Sequence, residues 1–366
     1  GDELLLEMTS KTLGTKYAAF KYNGSSWELA SGELSYKEDE VPTFPHVYYA
    51  PNYKWEAGKL VLKEGKAAGT DEYIEGKANI TPNGQGINVS FTDATRNYSR
   101  LRIATMPNKQ ITVAINKYIP AGSSSMEWFQ DIALTSDEKG NAYLYGTFVR
   151  YFDFEVKYEG APLASHTFYQ AAENAKSYAL DATVVSLADE GITYDQIVGN
   201  VKKELDAGKT YINLMLAPDA DEETLDAIHI GLQDARYGSI NLTLIGCKKI
   251  PSRGFMHFDM LKSIALPDVT EIGENAFLDC TELEKVVLGN LTKVYGKAGE
   301  KGIFEGCRTK DIDLILSKDQ KVMKSEFDEI SNQYIWKPTG ESYFASPDKD
   351  NGIFLGYQFR LVKSWE

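Results

Sequence analysis

The chain has 366 residues, of which 43% are hydrophobic and 12% aromatic, a composition that supports packed cores and excludes an intrinsically disordered protein. Its 53 acidic residues outnumber 39 basic ones, giving a formal net charge of -14. This charge excludes nucleic acid and anionic membrane surfaces as expected partners, because phosphate binding needs clustered Lys and Arg. No apolar run reaches the roughly 18 residues of a membrane span.

The sequence begins Gly1-Asp2-Glu3, without the charged and apolar regions of a signal peptide. Two expectations follow: a cytosolic protein, or a protein whose targeting segment has been removed. The length also predicts more than one domain.

Short runs in the first half of the chain alternate apolar and polar side chains. Examples are residues 87–91, 111–115 and 152–156. Alternation is typical of strands with one buried face, and Asn-Gly and Gly-Asn pairs mark turns between the runs. We therefore predict an antiparallel β-sandwich over residues 1–185.

An aromatic segment within this part, residues 44–55, contains Tyr48, Tyr49, Tyr53 and Trp55. Such rings form sugar-stacking platforms, but alternating Tyr and Trp also pack within sandwich strands. Packing is the interpretation we favour.

The pattern changes to helical periodicity near Ser186. Thr193 and Gln196 fit a capping box, and the apolar residues that follow predict a helix over 194–205. A second helix is predicted over 222–236. The acidic cluster before it, residues 219–223, is expected to decorate the helix N-terminus; the alternative is a carboxylate pair of a glycosidase.

A repeat runs through this second part. Ile264-Ala-Leu266 recurs as Val286-Val-Leu288, and a third time, after a longer connection, as Leu314-Ile-Leu316. Upstream, Leu214-Met-Leu216 and Leu242-Thr-Leu244 have the same form. Periods of roughly 20–29 residues are typical of leucine-rich repeats, whose units bury their apolar sides only by stacking. Each repeat of this sequence, a short strand with the connection that follows it, is here called a rung. We predict a mainly-β fold: the sandwich, an α/β leucine-rich repeat solenoid over 186–330, and a β-rich cap over 331–366.

One stretch of the repeat resembles a known family. Residues 266–288, LPDVTEIGENAFLDCTELEKVVL, resemble the BspA-like leucine-rich repeat, whose pattern is L-P…I-G-x-x-A-F-x-x-C-x-x-L. The matching positions are Leu266, Pro267, Ile272, Gly273, Ala276, Phe277, Cys280 and Leu283. Neighbouring units depart from the pattern, since Phe258 replaces the Cys in one and Lys310 replaces the following Leu in another.

The first part resembles the fimbrillin-like β-sandwich of Bacteroidales surface lipoproteins, through residues 47–60 (VYYAPNYKWEAGKL) and 87–103 (INVSFTDATRNYSRLRI). The two resemblances together imply a protein of the cell surface, outer membrane or periplasm. They also imply a lipid anchor on an N-terminal Cys outside the given sequence, and an adhesive or partner-binding role.

The residues give no sign of catalysis or of a cofactor. The four histidines and three cysteines lack metal-ligand spacing, and no nucleotide-binding or hydrolase motif is present. We expect Cys247, Cys280 and Cys307 to be small buried hydrophobes; the alternatives are a Cys280–Cys307 bridge or a thiol nucleophile paired with His257.

The outward positions of the repeat strands form the candidate partner-binding face. Two columns are expected, the first polar and the second mostly apolar. The first contains Asn213, Asn241, Ser263, Lys285 and Asp313, and the second contains Met215, Thr243, Ala265, Val287 and Ile315. A protein or carbohydrate could bind this face, or the chain's own C-terminal segment could cover it.

The C-terminal segment reads as apolar strands at 334–336, 343–345 and 353–361, with a hairpin turn at 348–352 joining the last two. Recognition or adhesion without catalysis is the function that we expect. A structural pilus-type subunit and, less favoured, a glycan-active enzyme are the alternatives. The sequence does not define the oligomeric state.

Overall fold

The computed structural model describes residues 2–92, 96–233 and 240–365. Strands make up 47% of the chain and helices 10%, which confirms the mainly-β class. The chain forms two compact units. The first comprises residues up to Glu155 together with Ser165–Asp181, and the second comprises Val156–Ala164 together with the residues from Ala182 onward.

Eight strands open the chain: β1 (Glu3–Ser10), β2 (Gly14–Tyr22), β3 (Trp27–Gly32), β4 (Thr43–Tyr49), β5 (Tyr53–Glu56), β6 (Lys59–Leu62), β7 (Ile74–Ile80) and β8 (Ile87–Ser90). Six of them form a curled antiparallel sheet in the order β3-β2-β1-β4-β7-β8, and β5 and β6 form a hairpin. Both faces of this sheet carry apolar side chains, with Leu5 and Ala19 in one cluster and Leu4, Leu6 and Val47 in another.

The next strands are β9 (Ser99–Ala104), β10 (Gln110–Pro120), β11 (Glu127–Thr135), β12 (Asn141–Thr147), β13 (Phe152–Tyr158), β14 (Ala161–Phe168) and β15 (Ser177–Asp181). They form a second sheet in the order β14-β13-β10-β12-β9-β15, with β11 paired to β10. The predicted strands at 87–91, 111–115 and 152–156 lie within or across β8, β10 and β13. One pairing differs from the antiparallel expectation, since β15 runs parallel to β9.

The second unit continues with β16 (Val185–Ser186), α1 (Tyr194–Asp206), β17 (Tyr211–Met215), α2 (Glu222–Leu232), β18 (Ile240–Ile245), β19 (Lys249–Ile250), β20 (Leu261–Leu266), β21 (Glu271–Ile272), β22 (Lys285–Leu288), β23 (Lys293–Tyr295), β24 (Asp313–Ser317), β25 (Lys321–Asp328), β26 (Gln333–Ser342), α3 (Pro347–Asp350), β27 (Ile353–Phe354), β28 (Tyr357–Gln358) and β29 (Leu361–Trp365). Seven strands form the parallel sheet, in the order β16-β17-β18-β20-β22-β24-β29. A five-stranded sheet has the order β19-β21-β23-β26-β25.

Both helices α1 and α2 begin at side-chain caps. Thr193 and Gln196 form the predicted capping box of α1, with Thr193 N–H donating to Gln196 Oε1 at 2.9 Å. Asp221 caps α2 by accepting from the Thr224 N–H at 2.9 Å, as expected for an acidic residue at a helix N-terminus. The last residues of the predicted second helix, 234–236, lie outside the described residues.

Strand pairing follows the sequence frame from β18 onward. Ser263 pairs with Lys285, and Lys285 pairs with Asp313, so both the shorter and the longer repeat unit align as predicted. The prediction for the first repeat strand, β17, is wrong in its register. Leu242 pairs with Ile212 and not with Leu214, so β17 is shifted by two residues along β18. Because side chains alternate with a period of two, this shift keeps every residue of β17 on its predicted face.

A column of stacked phenylalanine rings runs through the core of the repeat. The rings of Phe255, Phe277 and Phe304 stack with centroids 5.5 and 5.2 Å apart. The same close stacking explains why the repeat pattern has a glycine. A Cβ on Gly273 would lie 2.3 Å from the backbone nitrogen of Ser252, on the preceding rung. Only glycine allows the two backbones to approach so closely.

The C-terminal hairpin prediction is wrong in its position. Residues 343–345 form a 3-10 helix and Pro347–Asp350 the short helix α3, so the expected turn at 348–352 does not join two strands. The hairpin lies further along, where β27 pairs with β28 through Leu355 and Gly356, both at positive φ. The strand expected at 334–336 lies within β26.

We predict opposite effects for two Gly→Ala substitutions in the second unit. Gly273→Ala will destabilise the fold by about 1–3 kcal/mol because the new methyl group meets backbone atoms that cannot move aside. Gly199→Ala, within α1 and with open space around it, will stabilise the fold by up to about 1 kcal/mol. Chemical denaturation of both variants measures the two changes; equal midpoints would contradict the close-stacking argument.

Candidate functional site

The predicted partner-binding face is only partly accessible. Asn213, Thr243, Ser263, Ala265 and Val287 are buried, while Met215, Asn241, Lys285, Asp313 and Ile315 are half-buried. The corrected register also reassigns the columns. Tyr211 takes the first place in the polar column, and Asn213 lies beside Thr243 in the other.

Residues 161–163 of the second unit, at the start of β14, lie over the second column. The Asn213 side-chain amide donates to the Leu163 carbonyl at 2.9 Å, and the Thr243 hydroxyl donates to the Pro162 carbonyl at 2.9 Å. Ala161 packs against Ala265 and Val287. Polar side chains thus satisfy the carbonyls of the covering segment, and small apolar ones leave room for its backbone.

Trp365, at the C-terminal end of β29, packs against the same apolar cluster. Its indole N–H donates to the Leu288 carbonyl at 3.1 Å, and β29 itself extends the parallel sheet beside β24. The C-terminal strand therefore contributes one ring to the cover of the second column.

The first column is called the open row, because all of its members except the buried Ser263 stay half-exposed: Tyr211, Asn241, Ser263, Lys285 and Asp313. Asp313 accepts from the Arg360 guanidinium at 2.8 Å. Ser263 donates to the Asn241 side-chain carbonyl at 2.8 Å. Because adjacent strands lie about 4.8 Å apart, the open row presents one polar or aromatic side chain at each such step.

Other charged side chains of the repeat pair from one rung to the next. Lys249 pairs with Glu271 at 3.1 Å, and Lys262 pairs with Glu284 at 3.4 Å. Such exposed pairs contribute only about 0–1 kcal/mol each to stability. Their effect is to neutralise acidic groups on the surface of the repeat.

The cysteines are free, and no disulfide joins Cys280 to Cys307. Cys280 Sγ donates to the Phe255 carbonyl and Cys307 Sγ to the Phe277 carbonyl, both at 2.9 Å. Burial raises the pKa of all three thiols, to about 11 for Cys247 and about 12 for Cys307. A thiol held neutral in this way is a poor nucleophile.

Two of the four histidines lie beside carboxylates, and no contact between a histidine and a thiol is found in the part of the chain that the structure describes. His46 contacts Glu75 at 3.0 Å and His257 contacts Asp279 at 3.6 Å. Among the described residues, no group of three or more His, Cys, Asp or Glu side chains could hold a metal ion. Across the same part of the chain, no helix has the length and apolarity needed to cross a membrane.

The aromatic segment of residues 44–55 packs largely on itself and its neighbours. The Tyr53 ring lies 5.1 Å from Tyr73, and Trp55 lies 4.7 Å from Tyr17. The packing interpretation therefore accounts for these rings.

An apolar groove lies on the six-stranded sheet. This apolar groove has a volume of about 720 Å³, and residues of β3 and β8, the two edge strands, both line it. Its lining includes Leu6, Phe20, Trp27, Ile87, Val89 and Phe91. The alternation at residues 87–91 predicts a strand but does not show that its apolar side lines a groove.

Comparison with known proteins adds no family: no protein-family model matches the chain, and a search of curated proteins finds no significant match.

The covering segment predicts a measurable difference between two Thr→Val variants. Thr243→Val leaves the buried Pro162 carbonyl without its donor and will cost about 1–3 kcal/mol of stability, with faster amide exchange at residues 156–164. Thr292→Val removes a hydroxyl that donates to the Thr270 carbonyl at an exposed position, where water replaces it, and will cost less than about 0.5 kcal/mol. Equal losses of stability in the two variants would show that the buried hydrogen bond contributes no more than the exposed one.

Thiol labelling tests the burial of the cysteines. At pH 8 the native protein will react slowly with a disulfide reagent because its thiols, with raised pKa values, stay protonated. Denaturant will expose three rapidly reacting groups. Cys307, the only partly exposed one, will react first among the native thiols; fast native labelling of Cys280 would contradict its burial.

Proposed function

We propose that this chain is a non-catalytic recognition protein of the cell surface or periplasm, built from a fimbrillin-like sandwich and a BspA-like leucine-rich repeat solenoid. Its partner, a protein or a carbohydrate, binds the open row. The observation that carries the proposal is the in-register row Asn241, Ser263, Lys285 and Asp313, which repeats one outward polar position on four consecutive strands of the parallel sheet.

Three features support this assignment. The strand register from β18 to β24 reproduces the alignment of the sequence repeat. The second column is occupied by the chain itself, which leaves the open row as the accessible part of the face. Neither the thiols nor the histidines combine into a nucleophile or a metal site among the described residues, so recognition fits this site better than catalysis.

The apolar groove favours a second candidate function, that of a pilus-type subunit. Among the described residues no strand pairs with the outer edges of β3 and β8, which flank the groove, and an apolar strand from another copy could enter between them. This candidate requires self-association, whereas the first does not.

A charge reversal in the open row tests the first candidate. Binding of the whole chain to arrays of extracellular-matrix proteins and glycans will identify the partner, and Lys285→Glu will weaken that binding by about tenfold or more. Lys37→Glu, an equal charge change on an exposed loop residue of the first unit, will leave it unchanged. Binding that survives Lys285→Glu, or the lack of any partner on the arrays, would remove the open row as the recognition surface.

Self-association tests the second candidate. For a pilus-type subunit, light scattering after size-exclusion chromatography will show concentration-dependent oligomers that Val89→Lys in the groove abolishes. Ile330→Lys, at a position 97% exposed, is the matched control and will leave them intact. A monomer at every concentration would exclude this function.

A further inference from the structure

The first unit contains a cleft that the repeat-based function does not use. It has a volume of about 820 Å³, within the range of roughly 300–1,000 Å³ typical of small-molecule sites. Tyr118 and Tyr145 form its nearly buried floor, and Tyr143 is half-buried at its side. We call it the tyrosine cleft.

One wall of the tyrosine cleft is a loop over residues 65–71 that is fixed from several sides. The Tyr145 N–H donates to the Gly69 carbonyl at 2.8 Å, and the Asn52 amide donates to the Ala67 carbonyl at 3.0 Å and to the Thr70 hydroxyl at 2.9 Å. Gly69 has a φ of +77°, and a Cβ there would lie 2.7 Å from the Tyr145 carbonyl oxygen. The wall is therefore preformed, so a ligand would not have to order it.

The opposite wall is β11, which brings carboxylates and an amide to the cleft. Glu127, Gln130 and Asp131 line it, and Gln130 and Asp131 are exposed. Neither carboxylate forms an ion pair with any of the described residues, in contrast to the cross-rung pairs of the repeat. Unpaired acceptors beside tyrosine rings are the groups that fix the orientation of a polar ligand.

The charges of the cleft select among ligands. The cleft is lined by three acids, Asp71, Glu127 and Asp131. They outnumber the one cation among the described lining residues, Lys66, together with the Arg100 guanidinium beside Tyr143, so the cleft disfavours an anionic ligand. Burial raises the pKa of the Asp71 carboxyl, and Lys66 lies close enough to oppose that shift in part; this neighbour disfavours a cationic ligand beside Asp71. The half-buried Asp71 carboxylate accepts from the Glu72 N–H at 2.8 Å, and an apolar ligand would supply no further donor to it.

We propose that the tyrosine cleft binds a neutral oligosaccharide. Sugar hydroxyls supply donors to the carboxylates of Asp71 and Asp131 and to the amide of Gln130, and the apolar face of a pyranose ring packs on Tyr143. The Arg100 guanidinium, 5.6 Å from the Tyr143 ring centroid, and Tyr145, stacked at 6.2 Å, hold that ring in place. The site lies in the first unit and does not depend on the open row.

Calorimetric titration of the whole chain with defined oligosaccharides tests the proposal. The neutral probes are cellohexaose, maltohexaose, xylohexaose and mannohexaose; hexagalacturonate is the anionic probe and hexalysine the cationic one. At least one neutral probe will bind at micromolar to millimolar concentration, and hexagalacturonate at least about tenfold more weakly. Tyr143→Ala will reduce the affinity about tenfold or more, while Tyr143→Phe, which keeps the ring, will retain it.

A substitution on the exposed wall can change binding without disturbing the folded core, so it separates an effect on binding from an effect on folding. Asp131→Asn, on a strand residue exposed to solvent, will weaken binding of the neutral probe several-fold and reduce the discrimination against hexagalacturonate. Asp39→Asn on an exposed loop and Lys285→Glu in the open row are controls and will change neither. No binding of any neutral probe, preferential binding of hexalysine, or full affinity in both Tyr143→Ala and Asp131→Asn would overturn the proposal.

Discussion

The parallel sheet of the second unit depends on one constraint: the apolar side chains of each strand are buried beside those of its neighbours. Ile264, Val286 and Leu314 are fully buried because each lies beside its equivalent on the adjacent strand. The parallel register fixes this alignment, and the Phe255–Phe277–Phe304 stack repeats it in the core. Glycines such as Gly273 and Gly289 are required where the backbone comes close to that of the preceding rung. The inward positions of the repeat strands are therefore all apolar, and the strands differ in polarity and charge at their outward positions.

The two outward columns differ in whether other parts of the chain cover them. Ala265 and Val287 are apolar and would leave an exposed stripe, so a cover stabilises them. The cover brings backbone carbonyls with it, and Asn213 and Thr243 supply the donors that those carbonyls need when water is excluded. Lys285 and Asp313, in the other column, are charged and only half-buried, and Asp313 is paired with Arg360 at 2.8 Å. The same sheet face thus has one covered and one open row.

Local patterns in the sequence predicted local structure well. Alternation identified β8, β10 and β13, and Thr193 with Gln196 identified the start of α1. The repeat gave the strand pairs from β18 to β24 but misaligned β17, because alternation constrains the face of a strand and not its register. The cover of the second column was unpredictable for another reason. Residues 161–163 contact strands far along the chain, and no periodicity connects them. The tyrosine cleft could not be predicted for the same reason, since its walls come from separate segments of the chain.

The acidic excess of the chain has different consequences in different places. Glu271, Glu284 and Glu282 each pair with a base on a neighbouring rung, so a partner approaching that surface would have to desolvate pairs that already satisfy each other. Asp131 and Glu127 lack such partners among the described residues, and a ligand that donates hydrogen bonds to them gains interactions that the fold itself does not provide. Recognition is favoured where charged groups remain unpaired within a preformed cleft, and this argues for a binding site in the first unit in addition to the row on the repeat.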